Sequence, residues 1–348
     1  MNKVSLLLVT MAVLSGCKSM APEQAGGIRS IYTGDNSVLY EVQKQSSSPD
    51  QAMQMGAAAY LGGDLDQALY QYLRAIELDP KRYEALVWVG RIHRERGNTQ
   101  LAELAFTDVL TSAPDNLSGL TEMGLLNLAG RNHVRAQELL FKAVAVDQQR
   151  LTQGKSSTPP QVAELKVDGH SPLKVYNGLG VLADLRNDFA QAQAYYRLAL
   201  QIEPRSAQVQ NSLGYSSYLA GNWEEATRAY QLGITYDSGY KPLWRNYALL
   251  LARKGQYEEA LSAFEQVESR AEASNDVGYV CLIEGQLDQA EQFLRGAIEQ
   301  SPSYYSIAWD NLNRVQQIRR IRQPGTSKAE AESVAAAAAV TPSVPAAR

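Results

Sequence analysis

A repeat of 34 residues constrains this chain more than any other feature of its sequence. Small, aromatic and turn-forming residues recur at fixed positions. The first unit carries them at Gly56, Ala68, Tyr72, Ala75 and Pro80, and the second, 34 residues later, at Gly90, Ala102, Phe106, Val109 and Pro114. Five further units fit the same template, beginning the pattern at Gly124, Gly180, Gly214, Ala248 and Gly278. A repeat of this length predicts an array of stacked helix pairs.

Packing chemistry explains the residue types at these positions. The glycine of the first helix and the alanine twelve residues later are small because the two helices of a unit cross closely there. The aromatic residue that follows should fill the hollow between neighbouring units. The closing proline starts the next helix and cannot continue the last one. The pattern resembles the tetratricopeptide repeat family, which implies an all-α solenoid of about seven helix pairs with a C-terminal capping helix.

The spacing of the units divides the chain into segments. We expect helix pairs, an insertion, a cap and a tail in this order: units one to three at 49–148, a loop at 149–172, units four to seven at 173–302, a capping helix at 303–322 and a disordered Ala/Pro-rich tail at 323–348. The loop should separate a block of three units from a block of four. Only 30 residues separate Ala248 from Gly278, so the second helix or the turn of unit six should be short.

The first residues predict an export signal that ends at a cysteine. A charged start and a short apolar run precede Leu14-Ser-Gly-Cys17. This order resembles the lipobox of bacterial lipoproteins, which implies removal of residues 1–16 and acylation of Cys17. Lys18 stands where an aspartate retains enterobacterial lipoproteins in the inner membrane, and this resemblance implies the periplasmic face of the outer membrane. Residues 17–48 suit a flexible tether.

Composition and motifs exclude several classes of function. A net charge of −4 over 348 residues provides no basic stripe, so nucleic acid is not an expected partner. His93, His133 and His170 lack metal-ligand spacing and are interpreted as surface or turn residues. The chain carries no hydrolase, phosphate-loop or dinucleotide-binding motif, and we expect neither enzymatic activity nor a cofactor. Cys281 lies in an apolar helical stretch and should be buried.

The first helix of each unit should line a concave binding surface. Asparagine recurs three residues before the unit glycine at Asn177, Asn211 and Asn275. These amides could hold the backbone of an extended peptide, or each could bond to the adjacent helix, and the sequence leaves both interpretations open. With the neighbouring tyrosines and arginines, the candidate partner-binding groove comprises Asn177, Asn211, Tyr215, Tyr218, Arg245, Arg253, Asn275 and Tyr279.

A more specific resemblance covers residues 175–315. The stretches "VYNGLGVLADLRNDFAQAQAYY", "VQNSLGYSSYLAGNWEEA" and "SPSYY" are similar to the TadD family, the tetratricopeptide lipoproteins of the tight-adherence (Flp) pilus system. That resemblance implies a pilotin-like role, in which the protein assists the pilus secretin to reach or assemble in the outer membrane. The alternatives are a type IVa pilus pilotin and an NlpI-like envelope scaffold that recruits peptidoglycan enzymes. Another secretion-system component as partner, and a homodimer, also remain open.

Overall fold

The computed structural model describes residues 46–153 and 161–322, which contain fifteen α-helices and a short 3₁₀ turn at Val162–Glu164. The helices are α1 Pro49–Leu61, α2 Leu65–Leu78, α3 Tyr83–Glu95, α4 Thr99–Ser112, α5 Leu117–Ala129, α6 His133–Thr152, α7 Leu173–Asp184, α8 Phe189–Ile202, α9 Ala207–Leu219, α10 Trp223–Tyr236, α11 Lys241–Arg253, α12 Tyr257–Phe264, α13 Arg270–Ile283, α14 Leu287–Gln300 and α15 Ser306–Arg322. Among these described helices, none is both long and apolar enough to cross a membrane. The predicted signal, Cys17, most of the tether and the Ala/Pro-rich tail lie outside the described residues.

Capping side chains fix where several of the helices begin, and tight turns join the two helices of a pair. The carboxylate of Asp64 accepts a hydrogen bond from the backbone N–H of Gln67 and caps α2. The turn before it needs a left-handed backbone, which Gly63 supplies with a φ of 79°. Arg131 and Asn187 take this conformation in the third and fourth pairs, with φ of 61° and 60°. The predicted all-α solenoid of helix pairs is confirmed for the described part of the chain.

The helices form two compact units that divide after Pro114. The first unit contains α1 to α4, which are two helix pairs. The second contains α5 to α15, which are five pairs and the final helix. The blocks of three and four pairs that the insertion was expected to separate stay a prediction.

Polar contacts connect the insertion to the third and fourth pairs. The helix α6 continues to Thr152, so the beginning of the predicted loop is helical. Arg150 then donates to Asp147 and to Asp168, each at 2.7 Å. Asp147 also accepts a hydrogen bond from the hydroxyl of Tyr176 on α7 at 3.1 Å. These bonds join the end of α6, the insertion and α7.

In six of the seven described pairs, a glycine of the first helix lies directly beneath a large side chain of the second helix. A Cβ atom at Gly214 would lie 2.6 Å from Cε1 of Tyr230, sixteen residues later. The sequence analysis predicted that such rings pack between neighbouring units, whereas the ring of Tyr230 packs against the glycine of its own pair. Tyr72 does both, since it also stacks on Trp88 of the next pair with ring centroids 5.5 Å apart. Glycine is therefore required for the two helices to approach this closely.

The sixth and seventh pairs complete the second unit. The helix α12 has only eight residues, which confirms the predicted shortening of the sixth pair. The final helix, α15, buries Leu312 and Val315 in the same apolar core as Leu294 of α14 and so covers the seventh pair. Cys281 lies in this core and is fully buried, as predicted.

One histidine differs from its predicted setting. His93 is only 2% exposed, because it lies on the face of α3 that is buried in the first unit, beside Ile92. The expectation of a surface or turn position was wrong for this residue. His133 and His170 are exposed.

Substituting Gly214→Ala should destabilise the second unit. Overpacking against Tyr230 outweighs the roughly 1 kcal/mol by which alanine favours a helix, so the free energy of unfolding should fall by about 1 to 3 kcal/mol. Urea unfolding followed by circular dichroism measures this change. Gly296→Ala in α14 is the control, because a Cβ there meets only the flexible end of Gln300 at 3.4 Å and should be neutral or stabilising. An equal effect of the two substitutions would contradict the packing argument.

Candidate functional site

A cavity of about 340 Å³ opens in the second unit, and we call it the acidic pocket. Its walls come from α9, α11, α12, α13 and α15 and from the links that follow α12 and α14. The lining residues are Tyr215, Arg245, Asn246, Leu249, Phe264, Glu268, Glu272, Asn275, Asp276, Tyr279, Val280, Ile283, Tyr305 and Ile307. The first helices of three consecutive repeats, α9, α11 and α13, thus contribute to the lining of this cavity.

Four of the predicted groove residues meet in the acidic pocket. They are Tyr215 of α9, Arg245 of α11, and Asn275 and Tyr279 of α13. These residues come from three successive repeats, and only the stacking of the repeats brings them together. The structure thus gathers half of the predicted set into one cavity.

Tyr218 and Arg253 lie beside the pocket and form a chain of polar contacts. The rings of Tyr215 and Tyr218 stack with centroids 6.1 Å apart. Arg253 donates to the Tyr218 hydroxyl at 2.8 Å and pairs with Glu284 at 2.6 Å. These contacts hold the tyrosine rings of α9 in place on the side of α11.

The asparagines join neighbouring helices, which was one of the two interpretations left open. Asn246 of α11 donates to the side-chain oxygen of Asn211 on α9 at 2.9 Å. Asn311 of α15 donates to that of Asn275 on α13 at 3.0 Å. For Asn211 and Asn275 the bond to the adjacent helix is therefore confirmed, while peptide binding by these amides stays a prediction.

Asn177 differs from the other two asparagines. It lies on α7, outside the acidic pocket, and is half-buried. Its side-chain oxygen is buried and has no hydrogen-bond partner among the residues that the structure describes. The structure does not bring Asn177 together with the other groove residues.

The sequence analysis did not select the acidic residues that give the pocket its negative charge. Glu268, Glu272 and Asp276 are spaced four residues apart in "ESRAEASND", a spacing that places carboxylates near one another along a helix. Ser269 and Glu272 also form a capping box that fixes the start of α13. Both signals were present in the sequence. The partners Asn246 and Asn311 were missed as well, because they lie 35 and 36 residues from Asn211 and Asn275 rather than 34.

An ion pair between Arg245 and Glu268 lies in the pocket wall. The Arg245 Nε atom is 2.8 Å from Oε1 of Glu268, whose side chain is only 7% exposed. The other carboxylate oxygen, Oε2, is buried without a hydrogen-bond partner in the described part of the chain. Burial, with added repulsion from Asp276, raises the pKa of Glu268 to about 7 despite the attraction of Arg245. Glu268 therefore exchanges its proton near neutral pH.

The neighbouring ionisable groups respond to the same environment in different ways. Hydrogen bonds from Ser269 lower the pKa of Glu272. Burial raises the pKa of Asp276, although Asn275 donates to its carboxylate at 3.0 Å. Burial also raises the pKa of Tyr305 to about 12, and the nearby carboxylates add to this effect. The Tyr305 phenol therefore remains protonated and available as a donor.

The rim of the pocket is apolar. Ile283 and Ile307 are 50% and 57% exposed, which is high for large aliphatic side chains that line a cavity. The site thus combines an acidic interior, tyrosine walls and an aliphatic edge, a combination suited to holding part of a polypeptide.

Within residues 46–153 and 161–322, no group of His, Cys, Asp and Glu side chains is arranged to hold a metal ion.

Comparison with protein families identifies the class of protein. A family model described as tetratricopeptide repeat matches residues 53–116, 178–240 and 247–305, which together exceed half of the chain. The chain therefore belongs to the tetratricopeptide repeat family. Proteins built from such repeats bind partners on the surfaces that stacked helices create, so this chain mediates protein–protein interaction.

Several known proteins share this repeat array. The BBSome complex member BBS4 of Bos taurus is 25% identical over 62% of this chain and 44% of its own length. The cell division cycle protein 16 homolog of Homo sapiens is 26% identical over 50% of this chain and 26% of its own length. The chain spans less than half of each of these curated relatives. A solved structure, the APC/C hetero-tetramer Cut9-Hcn1, matches 76% of this chain and 49% of its own with a TM-score of 0.56 at 16% identity, which shows the fold alone.

The raised pKa of Glu268 predicts a pH-dependent loss of stability. Because the folded chain holds this proton more tightly than the unfolded chain, the free energy of unfolding should fall as pH rises from about 4.5 through about 7. In Glu268→Gln this contribution, about 2 to 3 kcal/mol over that range, should be absent. Urea unfolding of both proteins at several pH values measures it.

The slope with pH is the deciding quantity in this comparison, since the substitution also removes the ion pair to Arg245. Asp276, whose pKa is raised by burial as well, is present in both proteins, so the difference between the two curves reports the titration of Glu268 together with its repulsion of Asp276. Parallel stability curves for the parent and Glu268→Gln would show that Glu268 titrates in its ordinary range.

Proposed function

We propose that this protein is a lipid-anchored adaptor of the outer membrane that binds a segment of a pilus secretin in and around the acidic pocket. In this role it assists the assembly or localisation of the tight-adherence pilus secretin. The observation that carries the proposal is the convergence of Tyr215, Arg245, Asn275 and Tyr279 on one cavity. The sequence resemblance to the tight-adherence lipoproteins supplies the identity of the partner.

The dimensions of the pocket favour a polypeptide segment over a folded domain. A volume of about 340 Å³ accommodates one or a few side chains. The pocket is lined by α9, α11 and α13, so a bound segment running across these helices meets three repeats in turn. The exposed Ile283 and Ile307 give such a segment an apolar edge on which to pack.

The lipobox supplies the other half of the proposed mechanism. Acylated Cys17 would hold the protein at the membrane, and the tether of residues 17–48 would let the repeats reach a partner near the surface. Membrane anchoring confines a bound secretin segment to a thin layer, which raises its effective concentration for assembly. The anchor would therefore bring a partner that is bound by the repeats to the membrane surface.

Removing the apolar edge of the pocket should weaken partner capture. Ile307→Ser should reduce secretin recovery by at least about fivefold in a crosslinked pull-down from outer membranes with the lipidated protein, because a packed aliphatic anchor is lost. Leu61→Ser is the matched control, since Leu61 is 86% exposed and belongs to the first unit. Unchanged secretin recovery with Ile307→Ser would overturn the assignment of the pocket. Recovery of peptidoglycan enzymes without secretin would replace the pilotin role with a scaffold.

Removing the anchor should separate folding from localisation. Cys17→Ser should leave the helical circular dichroism unchanged but release the protein from the outer membrane and leave the secretin mislocalised. Membrane fractionation with immunodetection measures both proteins. Cys281→Ala is the control, because it removes the buried cysteine and keeps the lipobox. A correctly placed secretin in cells that carry only Cys17→Ser would contradict transport by the lipid anchor.

A further inference from the structure

The acidic pocket carries an excess of negative charge that its own contacts do not balance. Three carboxylates, those of Glu268, Glu272 and Asp276, line it together with the single guanidinium of Arg245. Arg245 pairs with Oε1 of Glu268, while Oε2 of the same carboxylate is buried and has no hydrogen-bond partner in the described residues. A buried acceptor left without a donor costs free energy, and a ligand that brings a donor removes that cost.

We propose that the acidic pocket receives the side chain of a lysine or arginine residue from the bound segment, with its cationic group donating to Oε2 of Glu268. This inference rests on the proposed function, because it specifies the chemistry of the segment that the adaptor binds. The ligand is thus a basic residue in an extended stretch of the partner protein. The nearby carboxylates of Glu272 and Asp276 add long-range attraction for the same charge.

The other lining residues fit the shape of such a side chain. Tyr215, Tyr279 and Tyr305 contribute three aromatic rings to the lining, and ring faces attract ammonium and guanidinium groups. The aliphatic stem of lysine or arginine would pass the exposed Ile283 and Ile307 on its way to the carboxylates. A carboxylate ligand would meet repulsion from three acidic side chains, and an uncharged aliphatic ligand would leave Oε2 of Glu268 unpaired.

Binding of a cation should also change the titration of the pocket. A bound cation favours the ionised form of Glu268, while Arg245 from α11 already favours it and Glu272 and Asp276 from α13 oppose it. Tyr305, on the link after α14, also interacts with Glu268 but stays protonated across this pH range. The proton on Glu268 therefore competes with the ligand. Affinity for a basic side chain should rise as pH increases through about 7, which is the direction set by the raised pKa of Glu268.

A set of matched peptides tests the assignment. The full-length protein in detergent is titrated with acetylated, amidated pentapeptides of sequence Ala-Leu-Xaa-Leu-Ala, where Xaa is arginine, lysine, norleucine or glutamate. The arginine and lysine peptides should bind at least about tenfold more tightly than the norleucine peptide at low ionic strength, and the glutamate peptide most weakly. High ionic strength should reduce this preference. Isothermal titration calorimetry measures each affinity.

Two variants make the result specific to the pocket. Glu268→Gln should reduce arginine-peptide affinity at least about fivefold, because the paired acceptor is lost, and should weaken its dependence on pH near 7, while Glu272 and Asp276 retain a residual preference for the cation. Glu259→Gln should change neither, because Glu259 is an exposed carboxylate on α12 outside the pocket lining. Equal affinity of the arginine and norleucine peptides for the parent protein would overturn the proposal. So would a dimer, seen by sedimentation, that Glu268→Gln dissociates, since the occupant would then be a second copy.

Repeating the pull-down with these variants separates this inference from the proposed function. Basic-peptide selectivity without recovery of any secretin would support the pocket chemistry and reject the pilotin role. Equal secretin recovery by the parent and by Glu268→Gln would support the pilotin role and reject the assignment of a basic side chain to this pocket.

Discussion

The close approach of two helices within each pair, at a glycine, is the constraint on which the rest of the structure depends. Gly56, Gly180 and Gly214 each face a tyrosine ring sixteen residues later, at a distance that leaves no room for a methyl group. This contact fixes how the helices of a pair cross, and hence how the next pair can stack on the opposite side of the ring. The stacking of the pairs, and with it the position of the first helices that line the pocket, depends on this glycine contact.

The sixth pair departs from this rule, and the acidic pocket lies against it. Alanine at position 248 replaces the glycine, and the second helix of the pair is only eight residues long. The shortened helix brings the link that carries Glu268 next to α11 and α13. Natural proteins commonly break a local pattern where they build a functional site, and the irregular repeat here contributes Arg245, Asn246 and Glu268 to the pocket.

Periodicity predicted much of the fold, because repeat positions report directly on helix packing. It predicted the helix pairs and the short α12, and it selected four residues that meet in the pocket, while the burial of Cys281 was predicted from the apolar stretch around it. The periodicity did not predict contacts between residues whose spacing differs from the 34-residue repeat. The insertion bonds to Arg150 at the end of α6 through Asp168, and the amide pair of Asn211 with Asn246 spans 35 residues. The role of Glu268, on the link after α12, depends on the burial of its carboxylate. Burial at this position cannot be predicted from the repeat template.

The final helix is part of the pocket as well as the cover of the last pair. Ile307 at its beginning and Tyr305 just before it line the cavity, and Asn311 on its second turn bonds to Asn275 in the pocket wall. Occupancy of the pocket and docking of α15 are therefore linked equilibria, since a ligand that touches both can bind fully only when the helix is docked. A partner would accordingly stiffen the C-terminal end of the repeats, and fraying of that end would release the partner.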